Sequence, residues 1–413
     1  MKRVVVTGLG ALTPLGNSVD EYLNGLRAGV SGAGPITRFD ASLIKTQFAC
    51  ELKDFDPLDY FNRKDIRRMD PFTIYALKAT EEAMQDAAFD LDKLDRDRCG
   101  VIFASGIGGF TTIEHDLRER ERMGKPRYSP FLIPKMISDI AAGYISIKYG
   151  FKGINYATVS ACASSSHAII NAIDYIKLGK AHVIIAGGAE ASVTEAGIGG
   201  FSAMKALSTR NDDPLTASRP FDVDRDGFVL GEGAGALVLE EYEHAKARGA
   251  HIYAELLGGG MTADAHHITA PHPEGEGAKN VMKFALEDAG LNPEDVSYVN
   301  VHGTSTPLGD IAEVKAIQAV FGDHAYQLNI SSTKSMTGHL LGAAGAIESI
   351  AGILATVHDF VPPTINHYNL DPALDKKLNF TFNSPQERRV DVVLNNTFGF
   401  GGHNASIVIK KWS

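Results

Sequence analysis

The sequence predicts an α/β protein with layers of helices around a mostly parallel or mixed sheet. Short runs rich in β-branched residues alternate with longer helical patterns, the signature of layered α/β packing. The chain of 413 residues is too long for one ordinary domain, so two packed units or one duplicated core are expected. One structural plan also recurs in the two halves: a strand, a small-residue turn with a reactive side chain, then a helix rich in alanine and isoleucine.

Strands are expected at 3–7, 100–105, 155–159, 183–186, 297–301 and 329–332, where valine and isoleucine concentrate. Helices are expected at 71–88, 165–178, 279–289 and 340–357. The recurring plan places Val159-Ser160-Ala161-Cys162 before the helix 165–178. It places Ser332-Thr333-Lys334 through Gly338-His339 before the helix 340–357. No linker of biased composition separates the halves, and the division is expected at 1–250 and 251–413.

Hydrophobic residues make up 44% and charged residues 22%, values of a soluble globular enzyme and not of a disordered or fibrous chain. The apolar run after Met1-Lys2-Arg3 is too short for an export signal, and the three cysteines form no close pair. A reducing, cytoplasmic location is therefore expected. A formal charge of -10 argues against nucleic acid or an anionic membrane as partner, since both require a basic surface.

Three patterns imitate other sites. Gly8-Leu9-Gly10 begins a dinucleotide fingerprint whose third glycine falls on Thr13, so a turn is expected there instead. Asp222-Val223-Asp224-Arg225-Asp226-Gly227 begins a calcium loop whose twelfth position falls on Gly233, which leaves a structural turn entering a strand. Asp264, His266, His267 and His272 match no zinc spacing, and no metal site is expected.

The chemistry concentrates at three strand ends. Cys162 follows a small-residue turn at a helix start, where unpaired amides and the helix dipole favour the nucleophilic thiolate. Cys50 and Cys99 lack such surroundings and are expected to be buried core residues. His302 lies in His302-Gly303-Thr304-Ser305-Thr306, and Lys334 and His339 lie in Lys334-Ser335-Met336-Thr337-Gly338-His339. Loops after strands can converge at one end of an α/β sheet, where such folds place their active sites.

With these motifs, from Val4-Val5-Val6-Thr7-Gly8-Leu9-Gly10 to Phe398-Gly399-Phe400-Gly401-Gly402-His403-Asn404, the chain resembles the β-ketoacyl-acyl-carrier-protein synthases of the thiolase-like superfamily. Among them the bacterial elongating enzymes of type II are most similar. The resemblance covers nearly the whole chain. It implies a duplicated five-layer α/β/α/β/α core, a homodimer, and decarboxylative condensation of an acyl group with malonyl on acyl carrier protein. Cys162 would be the nucleophile, His302 and His339 the substrate-facing histidines, Lys334 the active-site lysine with Glu348 as counterion, and Phe400 with Cys162 the donors of backbone N–H groups to an oxyanion. Ile107 would face the acyl pocket. Thr304 and Thr306 would bind the amides of a pantetheine arm, and Phe398 and Phe400 would gate the thiol beside three glycines.

The resemblance implies no cofactor of the chain's own, because phosphopantetheine arrives on the carrier protein. That partner is typically acidic, so docking on an acidic chain needs a local basic patch. Lys64, Arg67 and Arg68, at helical spacing, and Lys125, Arg127 and Lys205 are the candidates. A degradative thiolase would need a second cysteine after Cys162, and none occurs. A non-catalytic chain-length partner would be expected to lack the nucleophile. A type I elongating synthase shares nearly the same site, and length and the Ile107 pocket favour type II.

Overall fold

The computed structural model describes residues 1–413. Ten strands form the central sheet structure: β1 (Val4–Leu12), β2 (Cys99–Ala104), β3 (Asn155–Tyr156), β4 (Val183–Glu190), β5 (Gly233–Glu241), β6 (Ala254–Ala263), β7 (Tyr298–Asn300), β8 (Asn329–Ser331), β9 (Val392–Gly399) and β10 (His403–Lys411). Their spatial order is β3-β2-β4-β5-β1-β6-β10-β9-β7-β8. The order is a duplication, because β1 to β5 and β6 to β10 occupy equivalent places on either side of a short seam. At that seam β1 and β6 pair only at Val5 with Glu255 and Val6 with Ala254. The pairing senses repeat as well: β4–β2–β3 and β9–β7–β8 are parallel, whereas β5 and β10 run antiparallel to their neighbours.

Six helices repeat in the same way: α1 (Pro71–Ala87), α2 (Ile140–Tyr149), α3 (Ser164–Lys177), α4 (Glu276–Ala289), α5 (Pro307–Phe321) and α6 (Ala344–His358). Helices α3 and α6 touch each other and strands of both halves, while α1 and α2 cover one outer face and α4 and α5 the other. The result is the five-layer thiolase-like arrangement. Composition explains the central position of α6: apart from Glu348 and Ser349 the residues from Ala344 to Thr356 are apolar or small, and all of them are buried. Leu341–His358, apolar and long enough to cross a membrane, is this core segment.

Sequence signals set the helix boundaries. Asp70 caps α1 by accepting from the Phe72 N–H, with Pro71 in the first turn where its missing N–H costs nothing. Gly8 and Gly10, expected in a turn, lie inside β1. A Cβ on Gly10 would stand 1.9 Å from the Ala79 carbonyl oxygen, and one on Gly8 2.2 Å from that of Ala83. The glycines therefore let α1 lie directly on the strand.

Candidate active site

The Cys162 elbow is held by its own hydroxyls. Ser164 Oγ accepts from the Ser160 N–H at 2.8 Å and donates to the Ala161 carbonyl at 2.6 Å, while Thr158 Oγ1 donates to the Ser164 carbonyl at 2.7 Å. Between them Ala161 is forced to φ 50°, a left-handed conformation that its small methyl group tolerates better than a larger side chain would. Gly399 lies against this turn, and a Cβ there would come within 2.8 Å of the Ser160 carbonyl oxygen. The close approach sets the neighbouring Phe400 N–H as a donor to the Cys162 sulfur.

Cys162 is only 7% exposed, and burial pushes its thiol up to about 12, against the pull of Lys334 and of the Phe400 N–H. Burial thus opposes the thiolate that the helix start favours. Cys50 and Cys99 are buried free cysteines, also raised to about 12 by burial.

His302 and His339 stand edge to face, 5.3 Å between ring centroids. Burial, then the Lys334 charge, holds both imidazoles well below their usual value, so both are neutral. Their positions come from backbone anchors. Glu313 on α5 accepts from the His302 and Gly303 N–H groups, each at 2.8 Å, and the His339 N–H donates to the Val229 carbonyl at 2.7 Å. Lys334, 1% exposed, forms an ion pair with Glu348 of α6 at 2.5 Å. Burial drives the Glu348 carboxyl up and the ammonium draws it down.

A cleft of about 340 Å³ collects Cys162, His302, Thr304, Thr306, His339, Phe398, Phe400 and Lys205 in its walls. The hydroxyls of Thr304 and Thr306 lie 3.0 Å apart. Arg225, ion-paired with buried Asp310, donates to the carbonyls of Thr306 and Pro307 and fixes this loop. Lys334 and Glu348 lie beneath the lining, and Ile107 packs against the apolar cluster that contains Cys162. Of the six basic candidates only Lys205 lines the cleft. Lys64 sits in a four-residue helical turn, Arg63–Ile66, that Arg67 caps and Arg68 follows, so the expected continuous helical stripe is absent. Arg68 lies over the Phe131 ring at 5.6 Å, and Lys125 and Arg127 precede that ring in the same segment.

Sequence reading passed over Glu190, Glu313, Phe201 and Phe228. The two phenylalanines join the wall: Phe228 stands 5.3 Å from His339, and Phe201 5.5 Å from Phe228 and 6.4 Å from Phe400. No local motif announces them. The two glutamates accept backbone N–H groups, Glu190 from distant segments and Glu313 from the loop before its own helix, which only the fold reveals.

Duplicated layers with a buried cysteine elbow facing two neutral histidines define a thiolase-like ketosynthase. Two models cover most of the chain, "Beta-ketoacyl synthase, N-terminal domain" at residues 1–245 and "Beta-ketoacyl synthase, C-terminal domain" at 253–368. The chain belongs to the beta-ketoacyl synthase family and is a condensing enzyme of the acyltransferase type. It is 51% identical to 3-oxoacyl-[acyl-carrier-protein] synthase 2 of Synechocystis sp., covering 100% of this chain and 98% of that one. It is 50% identical to the protein of the same name from Coxiella burnetii, covering 99% of each. Among solved structures, a beta-ketoacyl synthase from Burkholderia phymatum superposes with a TM-score of 0.92 at 38% identity over 100% of both chains. A type II polyketide ketosynthase in complex with its acyl-carrier protein (AntDE:AntF) gives 0.91 at 36%, again over 100% of both.

The raised thiol pKa has a sign that can be measured. The thiolate fraction should grow about tenfold per pH unit between pH 7 and 9, because the thiol titrates above that window. Iodoacetamide labelling of Cys162, followed by peptide mass spectrometry, should rise with that slope. A plateau below pH 8 would show that the helix dipole prevails after all.

Proposed function

We propose that this chain is an elongating 3-oxoacyl-[acyl-carrier-protein] synthase of type 2, acting in fatty acid synthesis with Cys162 as the acyl-carrying nucleophile. The observation that carries this reading is one cleft that holds the thiol, the Phe400 N–H on its sulfur, and two neutral imidazoles. Cys162 attacks the acyl thioester, takes the acyl group and releases the carrier thiol with the proton. Malonyl thioester then enters and loses carbon dioxide, and its electron pair is left as an enolate. A neutral imidazole can donate a hydrogen bond to that enolate oxygen, and His302 and His339 supply two such rings in a water-poor site. The enolate carbon attacks the acyl carbonyl, whose oxyanion receives the N–H groups of Cys162 and Phe400. Collapse expels the Cys162 thiolate, which regains a proton, and frees a 3-oxoacyl thioester two carbons longer.

Thr304 and Thr306 supply paired hydroxyls for the pantetheine amides, and Phe398, 5.6 Å from His302, and Phe400 close the wall around the thiol. The retained nucleophile favours a synthase over a chain-length partner. Cys162→Ala should abolish condensation, and Cys162→Gln should keep malonyl decarboxylation, since the amide imitates an acyl-enzyme. His302→Ala and His339→Ala should each slow decarboxylation ~10²–10³-fold while sparing acylation of Cys162. Loss of acylation with decarboxylation intact would reverse these roles.

The carrier protein is assigned to the basic surface of Lys64, Arg67 and Arg68, with Lys125 and Arg127 in the segment leading to Phe131, on which Arg68 lies, and Lys205 at the cleft. Changing Lys64, Arg67 and Arg68 to Glu should reduce turnover of carrier-bound substrate at low salt and affect a pantetheine analogue much less. Equal loss with both substrates would remove this patch from the docking site.

A homodimer is supported by β3, an open edge strand, with exposed Ile133, Ile147 and Val159 in nearby chain segments. Light scattering should give twice the chain mass. A monomer at micromolar concentration would refute this assembly.

A further inference from the structure

Glu190, the last residue of β4, is fully buried, and its hydrogen-bond partners include no basic side chain. Its Oε2 accepts from the N–H groups of Gly106 (2.9 Å) and Gly342 (3.0 Å). Its Oε1 accepts from the Ile107 N–H (3.3 Å) and from the hydroxyls of Ser105 and Ser192 (3.2 Å each). Apart from Ser192, two residues on from Glu190, these donors come from two turns far apart in sequence. Ser105-Gly106-Ile107 follows β2, and Gly342 stands three residues after His339, beside Leu341. The turns are pressed together so closely that a Cβ on Gly342 would stand 2.1 Å from the Gly106 nitrogen. Leu341 and Ile107 both belong to the apolar cluster around Cys162, with Val193, Ile198 and Phe228. One carboxylate thus holds two segments of the apolar wall beside the nucleophile.

We propose that Glu190 is a positioning residue for substrate selection: by clamping the Ile107 and Leu341 turns it fixes the depth of the pocket for the straight acyl chain on Cys162. This rests on the reading of Cys162 as the acyl carrier. A carboxylate is suited to the task because it offers two oxygens and no donor. In Glu190→Gln one of those oxygens becomes an NH₂ group aimed at N–H donors, so one turn must move away. The pocket should then change for long acyl groups, which reach the turns, and stay the same for short ones, which do not.

The experiment measures kcat/KM for a short and a long acyl-carrier substrate in the wild type, Glu190→Gln, Ile107→Ala and the double variant. Glu190→Gln should change the long-to-short ratio about tenfold, the size of one charge-assisted hydrogen bond. In the Ile107→Ala background the same substitution should leave that ratio within about twofold, since the side chain through which Glu190 acts is gone. Ser192→Ala removes a single donor and should shift the ratio in the same direction by less, which keeps the test decisive if Glu190→Gln does not fold. An equal slowing of both substrates, or equal ratio shifts in both backgrounds, would reduce Glu190 to structural support and overturn the proposal. Mass spectrometry of acyl-Cys162 in the wild type separates the two readings: without that adduct the nucleophile assignment fails first.

Discussion

The site is organised around one buried cation. After burial itself, the Lys334 ammonium is the first influence on Cys162, His302, His339 and Glu348, and it also acts on Glu313. It keeps the two imidazoles neutral, so that they can donate hydrogen bonds without carrying charge, and it draws the thiol toward the thiolate that leaves in the last step. Lys334 does this by its field, from a position outside the cleft lining. A cation so deeply buried is tolerable only when paired, and Glu348 in the buried stretch of α6 supplies the partner. The residual field then favours each of the two anions that condensation must pass through.

Duplication explains how these groups meet. The strand-turn-helix unit β3, Cys162, α3 has its counterpart in β8, Lys334 with His339, α6, and the two central helices lie against each other. A twofold arrangement of this kind brings the turns before the two helices to the same region, so the nucleophile comes from one half and the charge-handling groups from the other. The same symmetry releases the second turn from carrying a cysteine, and Lys334 occupies the ground between the two chemistries.

Much of this was legible in the sequence because it depends on local rules. The β-branched run at 183–186 and the alanine- and isoleucine-rich helices have strong propensities, His302 stands just past its strand, and Cys162 and His339 stand in the turns before two of those helices. Of the four sheet strands that escaped notice, β5 and β6 did so for a physical reason. Gly233-Ala234-Gly235-Ala236 in β5 and Gly258-Gly259-Gly260 in β6 are covered by helices and neighbouring strands that leave no room for side chains. A Cβ on Gly235, Gly258 or Gly260 would run into the Ile347 nitrogen, Asp288 or the Val281 carbonyl. A strand packed so closely shows neither alternation nor β-branched enrichment. The raised pKa of the thiol escaped notice for a related reason: a helix start can be read from sequence, but the depth at which it is buried cannot.

Glu190 and Glu313 belong to that unreadable class, and their energetics argue that they are kept for geometry. Burial lifts both carboxyls from 4.5 to about 7, although each accepts backbone N–H groups that pull the other way. A folded pKa above the unfolded one means that ionisation costs stability. The cost sets in as pH rises above 4.5 and is fully present above about 7. A neutral side chain of similar size would avoid that cost, yet none offers two acceptor oxygens without a donor. Five donors face Glu190, and the N–H groups of His302 and Gly303 face Glu313. In a site whose working groups must stay neutral beside Lys334, further cations brought in as anchors would disturb the balance of charge. At the His302 and Ile107 turns, backbone dipoles converging on a carboxylate hold the chain without them, and Arg225, the cation that anchors the Thr306 loop, comes paired with Asp310.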